Sequence, residues 1–411
     1  MKMSNKTIRD ICVFIGGSQP PKSEFVYKEK PGYIRLIQTR DRLNDDFITF
    51  IPKESTKKLC DKSDILIGRY GPPIFQVFRG FSGVYNVALM KAIPKEGVDK
   101  DYLYYFLKQK SILKYVESMS IRTGGQTGVE VDSLYDYPVN LPQIEYQKKV
   151  AKFLKHLDKK IENNNLLIEK FHCISKMIYS YWFLQYNFPD EKGISYCKSG
   201  GEMKYEPELN KSIPVEWTVG IFSDLGSIVG GGTPLTEKEE YYCKKGIAWI
   251  TPNDLSNTKD MFVCHGEIDI TQEGLKNSSA KLMPKGSVLL TSRAPIGYIA
   301  IADNEVSTNQ GFKSIVPNEE IGSLFVYYTL YFMIPYLKSL GTVSTFTEIS
   351  KEVVSDVKVV LPKTEIIKKF NKKIEKYSEK IKCLEKENKE LASLRDFLLP
   401  LLMNGQVTFK D

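Results

Sequence analysis

The chain has 411 residues, a 42% hydrophobic fraction and a formal charge of +8. That length can bury two substantial cores, and the composition excludes a disordered or collagen-like chain. The mild basic excess suits a polyanionic partner, while seven cysteines, odd in number and without a C-x-x-C pair, read as reduced thiols of a cytoplasmic protein rather than a secreted disulfide scaffold.

The opening residues MKMSNKTIRD hold no apolar run of signal-peptide kind, and no stretch approaches a membrane span. Residues 1–142 read as a first mixed α/β domain. It begins with the apolar patch Ile8–Ile11 and the turn Gly16-Gly17-Ser18-Gln19-Pro20-Pro21. The β-rich pieces Tyr33–Ile37, Asp64–Ile67 and Val84–Met90 follow, separated by Gly, Pro and Asp turns. The spacing predicts a helix over Asp101–Val116 with Tyr102, Tyr105, Phe106, Gln109 and Leu113 on one side; its aromatics read as core rather than as a base-stacking platform. Pro142 stops a strand and admits a long helix from near Ile144, so residues 143–186 form a central spacer helix. Residues 187–211, with Pro189, Gly193, Gly200, Gly201 and Pro207, are a breaker-rich connector.

Residues 212–362 repeat the first domain in the same order. Gly230-Gly231-Gly232-Thr233-Pro234 answers Gly16–Pro20, and Gly246–Ile250 answers Gly32–Leu36. Arg293-Ala294-Pro295 falls where Arg69-Tyr70-Gly71-Pro72 fell, and Val359-Val360-Leu361-Pro362 answers Val139-Asn140-Leu141-Pro142. Repetition on this scale marks two copies of one module.

The segment 363–411 holds the second spacer helix and a tail. Within it Phe370, Ile374, Tyr377, Ile381, Leu384, Asn388, Leu391, Arg395 and Leu398 recur at spacings of four and three, the seam of a coiled coil about 10 turns long. Val150, Leu154, Leu157, Ile161, Asn164, Ile168, Phe171, Ser175 and Ile178 show the same pattern 220 residues earlier. The fold class expected is α+β: two repeated domains separated by two long antiparallel coiled-coil helices with an internal pseudo-twofold axis. Antiparallel helices would carry the domains at opposite ends, with attachment points roughly 55 Å apart. Such a molecule suits the reading of two separated half-sites on a duplex.

These features together resemble the specificity (S) subunit of Type I restriction-modification systems. The resemblance rests on the repeat and on Val139–Pro142 followed by Glu145-Tyr146-Gln147-Lys148-Lys149-Val150. It rests also on Ile213-Pro214-x-x-Trp217, Gly231-Gly232-Thr233-Pro234 and the end Leu394–Gln406. It implies two target recognition domains, one for each half of a bipartite DNA sequence, and helices that set the gap and dock two methyltransferase (M) subunits. S-adenosylmethionine would then belong to the M subunits, and ATP with Mg to restriction (R) subunits. No cofactor or metal site and no catalytic residue is assigned to this chain. It lacks a G-x-x-x-x-G-K-[ST] loop and an adenine-methyltransferase Asp/Asn-Pro-Pro-aromatic tetrapeptide, and His156, His172 and His265 are dispersed. A coiled-coil protein scaffold without DNA specificity, or a solitary enzyme, are the competing readings.

Base readout needs Arg, Lys, Asn or Gln aimed at base edges, on loops projecting from a rigid scaffold. The candidates in the first domain are Arg40, Arg69, Tyr70, Gln76, Arg79, Arg122 and Gln126. In the second they are Lys259, Arg293, Asn309, Gln310 and Lys313. Arg69 and Arg293 rank first because both follow the same strand of the repeat, a placement equally suited to a salt bridge inside each domain.

Overall fold

The computed structural model describes residues 3–42, 45–123, 126–190, 193–341 and 348–409. Two units separate by contact: Met1–Ile161 with Glu390–Asp411, and Glu162–Lys389. Each unit therefore contains one mixed domain and a stretch of both long helices.

Unit 1 runs β1 (Met3–Thr7), β2 (Cys12–Gly16), β3 (Tyr33–Ile37), β4 (Ile65–Gly68), β5 (Gly83–Tyr85), β6 (Leu89–Pro94), α1 (Lys100–Leu107), α2 (Lys110–Met119), β7 (Pro138–Pro142) and the start of α3 (Ile144–Tyr179). The N-terminal strand, unmarked by any hydrophobic alternation, pairs antiparallel with β7. β6 lies between β2 and β4, antiparallel to both, whereas β3 and β5 pair in parallel. Ile65, Leu66 and Ile67 are all buried, as a continuous apolar run in a covered strand should be.

Two sequence expectations are corrected here. The piece Val84–Met90 is not one strand but two, because Asn86 turns the chain: its Oδ1 accepts the Ala88 amide at 3.1 Å. The helix expected over Asp101–Val116 breaks at Lys108–Gln109 without any Gly or Pro. Gln109 is extended and buried, and its Nε2 donates to the Phe106 carbonyl at 3.2 Å, capping α1 from within. Tyr102, Tyr105 and Phe106 do enter the core.

That core includes Ile8, Ile67, Val139, Val150 and Leu154, and it takes Leu399, Leu402 and Met403 from the other end of the chain. The Tyr146 hydroxyl faces the Leu402 and Val407 carbonyls at 3.2 and 2.8 Å, and the Phe409 ring packs on Tyr146 and Phe153. Gln147 is fully buried and satisfied, accepting from the Asp99 amide and donating to the Gly97 and Pro142 carbonyls. Asp158 accepts from the Tyr105 hydroxyl at 2.7 Å and from Arg395 at 2.8 Å.

Unit 2 takes up the rest of α3 and a π turn over Ser180–Leu184, then β8 (Met203–Glu206), β9 (Lys211–Pro214), β10 (Thr218–Ile221), β11 (Gly226–Gly230), β12 (Ala248–Ile250), α4 (Pro252–Thr258), β13 (Phe262–Val263), β14 (Val288–Leu290), β15 (Ile299–Ala302), β16 (Val306–Thr308), β17 (Lys313–Pro317), α5 (Ser323–Gly341), β18 (Lys358–Leu361) and α6 (Thr364–Met403) up to residue 389. The repeat is visible in the pairings. β10 with β18 matches β1 with β7, β11 with β17 matches β2 with β6, and the parallel pair β12 and β16 matches β3 and β5. The connector is more structured than its composition suggests: β8 and β9 form a hairpin, and Phe188 stacks on Trp217 at 4.9 Å.

In both units the helix segments run antiparallel. In unit 2, Asn164 donates to Asn388 at 2.9 Å, Phe171 stacks on Tyr377, and Tyr179 meets Phe370 edge-on at 5.7 Å. In unit 1, Asp158 meets Arg395. Of the named seam, Val150, Leu154, Phe370, Ile374 and Ile381 are buried, whereas Leu157, Ile161, Ile168, Tyr377, Leu384, Leu391 and Leu398 are half-buried. A two-helix seam shields its residues fully only where a domain also covers it. Among the described residues no helix is long and apolar enough to cross a membrane.

Candidate nucleic-acid interface

Each domain gathers five chain segments at one place, and an asparagine organises the gathering. In unit 2, Asn309 follows β16; its amide donates to the Ile250 carbonyl at 3.1 Å, and its Oδ1 accepts the Gly311 amide at 2.9 Å. Ser292, after β14, donates its amide to the Gly311 carbonyl and accepts from the Ile349 amide. Gly231, after β11, lies so close that a Cβ would collide with the Asn309 carbonyl. Unit 1 builds the same knot around Asn86, with Ile37, Ala88, Arg69, Val129 and Gly17 in the corresponding places.

This bonding aligns the repeats residue by residue. Arg69 corresponds to Ser292 and Tyr70 to Arg293, since Arg69 and Ser292 make the same two backbone bonds while Tyr70 and Arg293 face Gly128 and Glu348. A cis proline follows in each turn, at Gly71-Pro72 and Ala294-Pro295. The two arginines that the sequence placed opposite each other are thus one residue out of step.

Arg69 is half-buried, lies over the Tyr70 ring at 5.5 Å, and has no carboxylate partner among the described residues. Tyr70 is exposed. Arg40 is exposed in the turn Thr39–Arg42 that follows β3, its guanidinium 5.2 Å from the Phe47 ring. Thr39 packs beside Gly68, so this turn and Arg69 share one neighbourhood. Gln76 donates to the Pro73 carbonyl at 3.0 Å, bracing the Pro72-Pro73 turn. Arg79 stands apart from the knot: it pairs with Asp101 and covers the Tyr104 ring at 4.2 Å. Burial raises Asp101, but its bonds to Lys155 and Arg79 outweigh that and hold its pKa below the ordinary range. Arg122 and Gln126 stand on the paired strands Ile121–Thr123 and Gln126–Gly128; their side chains lie outside the described residues.

In unit 2, Arg293 and Lys313 share Glu348, at 3.5 and 3.1 Å, and Lys313 is largely covered. Lys313 therefore holds the loop rather than facing outward. Gln310 is exposed and hydrogen-bonded to Thr233, which joins the Gly-Gly-Thr-Pro turn to the Asn309 turn. Lys259 is the left-handed C-cap of α4, at the far end of that helix from the knot.

Two contributors escaped the sequence reading. Asn86 is buried and does for unit 1 what Asn309 does for unit 2; their unequal distances from the Gly-rich turns hid the correspondence. Asn253 is exposed in the first turn of α4, one residue after Pro252, which packs near Gly311. Its helix start is fixed by Thr251 and Asp254, each bonding the other's backbone amide. The arrangement offers exposed amide and guanidinium groups on rigidly braced turns, and among the described residues no group of three His, Cys, Asp or Glu is placed to hold a metal.

The profile of the family described as Type I restriction modification DNA specificity domain matches residues 2–170 and 214–393, one match on each half of the repeat. The chain belongs to this family. It is 25% identical to the Type I restriction enzyme HindI specificity subunit of Haemophilus influenzae, over 90% of this chain and 94% of that one. It is 37% identical to the MjaIX specificity subunit of Methanocaldococcus jannaschii over 50% of this chain, a match spanning 47% of that relative. Among solved structures, the S subunit from M. genitalium superposes with a TM-score of 0.57 at 15% identity, covering 100% of this chain and 96% of the other, a likeness of fold.

Proposed function

We propose that this chain is the DNA-reading subunit of a Type I restriction-modification complex, with one domain reading each half of a bipartite, asymmetric duplex target. The observation that carries this is the asparagine-centred knot built twice, in a chain of the specificity family, with different side chains displayed on each copy: Arg40, Arg69 and Tyr70 in one, Asn253, Arg293 and Gln310 in the other. A shared scaffold with unlike displays is what two unlike half-sites require. The domains are residues 1–142 and 212–362, joined by the helix 143–186 and connector 187–211 and followed by the helix and tail 363–411. The chain supplies specificity; methyl transfer from S-adenosylmethionine belongs to two M subunits, and ATP- and Mg-dependent cleavage to R subunits where these are present.

Two apolar surfaces at matching positions of the repeat support the docking of two M subunits. In unit 2 the outer face of α3 exposes Ile174 and Met177, the latter 65% exposed; in unit 1 the equivalent turn of α6 exposes Leu394 and Phe397, the latter 66% exposed. An apolar pair at matching positions of the repeat suits two copies of one partner. The test is a genome-wide map of methylated motifs with and without this gene, and again after exchange of residues 1–142 for another such domain. The reading expects one bipartite motif to vanish with the gene and half of it to change with the exchange. An unchanged methylation map refutes it.

A further inference from the structure

Glu385 lies on α6 within unit 2, 5% exposed, and points into the edge of the five-stranded sheet. Its Oε1 accepts the Met261 amide at 2.6 Å and its Oε2 accepts the Phe262 amide at 3.2 Å. Two ion pairs flank this grip: Lys389 with Asp260 at 2.9 Å and Lys382 with Asp303 at 2.5 Å. Met261 in turn binds the sheet, its carbonyl accepting the Ile301 amide at 2.7 Å.

The gripped segment stands between two elements that meet near the Asn309 knot. Upstream is α4, whose first turn packs beside the Asn309–Gly311 turn. Downstream is the loop after β13, where the Glu267 amide donates to Asp254 at 2.8 Å and Gly266 has no room for a Cβ because of the Trp249 carbonyl. The Asn165 that occupies the equivalent place on α3 is exposed and accepts across the helix pair from Asn388 at 2.8 Å. Among the described residues the grip is made to the second domain.

We propose that Glu385 is a positioning residue for DNA reading by the second domain: its ionised carboxylate, holding two successive backbone amides, sets α4 and the loop after β13 on the long helix. The inference rests on the function proposed above. Two amide donors need an acceptor at both oxygens. A carboxylate supplies that, whereas a protonated acid or a glutamine supplies one acceptor and one donor. A buried charge of this kind contributes little net stability and acts instead by excluding alternative poses. The groups facing Glu385 are Asp260, Lys389 and the buried Tyr327 hydroxyl, with Lys382 and Asp303 one turn away. Burial, reinforced by Asp260, pushes its pKa up to about 7, so the grip is itself proton-sensitive near neutrality.

The test uses the full chain in its complex with M subunits. Hydrogen exchange at the Met261 and Phe262 amides should rise about tenfold in Glu385→Gln, the effect of one lost charge-assisted hydrogen bond. Measured against the intrinsic base-catalysed rate, protection of these two amides in the wild type should shift between about pH 8 and about pH 6 as Glu385 takes up its proton, and the variant should show no such shift. Discrimination against a duplex altered only in the half-site read by the second domain should fall by a similar factor, with discrimination at the other half-site unchanged. Unaltered exchange overturns the grip. Faster exchange with unaltered discrimination overturns the positioning role. A wild-type complex that discriminates neither half-site overturns the function reading instead, and exchange still decides the grip. The wild-type pH series keeps the question answerable if the variant fails to fold.

Discussion

Replacing Phe370 by alanine tests how the second domain is fastened to its helices. Phe370 is fully buried, and its ring lies 5.0 Å from Phe183, 5.7 Å from Tyr179 and 6.1 Å from Trp182, all from the end of α3 and its π turn. On the domain side it reaches Phe325 and Tyr328, each at 6.4 Å. One side chain thus joins both long helices to α5. Truncating a buried phenylalanine costs about 3–5 kcal/mol, the transfer term plus the cavity left behind. At about 1.4 kcal/mol per tenfold, exchange governed by opening of this cluster should accelerate by roughly 100-fold or more. Native-state hydrogen exchange read by mass spectrometry should place that change in peptides covering residues 176–190 and 323–334, while peptides in 100–119, which belong to a separate core, hold their rates. A cost below about 1 kcal/mol, within the range of an ordinary surface substitution, refutes the reasoning. So does an acceleration spread evenly over both cores.

Asn309→Ala leaves the Gly311 amide without its partner and should destabilise unit 2 by about 1–2 kcal/mol, seen as a lower unfolding midpoint, with Asn86→Ala doing the same in unit 1. Arg69→Ala should lower the slope of log K against log salt by about 1 without altering stability, whereas Arg79→Ala should leave the slope unchanged and lower stability through Asp101; salt titration beside thermal melting separates the two. The folded chain holds Glu385 at about 7 against an ordinary value of 4.5, so it retains that proton longer than the unfolded chain does. The associated stability is full below about pH 4.5 and is lost as pH rises toward 7, and Glu385→Gln should lack this decline in denaturant titrations across the interval.

The helix pair was legible because a seam of four-and-three spacing survives whatever surrounds it, and the repeat because turn residues such as Gly231 and Pro362 tolerate few substitutes. The breaks were not. Asn86 and Gln109 end their elements through a side-chain bond to nearby backbone, which leaves no mark in hydrophobic period and needs no Gly or Pro. The β1 strand was hidden because Met3–Thr7 is largely polar and exposed, and only its partner at Pro138–Pro142 makes it a strand. Of the candidate interface, residue type singled out Arg40, Arg69 and Gln310, which stand on braced turns. It could not separate them from Arg79 or Lys313, whose carboxylate partners Asp101 and Glu348 come from distant parts of the chain.

Unit 1 joins segments made far apart in time, with Leu399, Leu402 and Met403 in the same core as Ile8. During synthesis at roughly 5–20 residues per second, the first domain therefore waits tens of seconds for its last wall, while the second has all its parts by residue 389. A premature stop before Leu399 would strike the half of the protein that the ribosome made first.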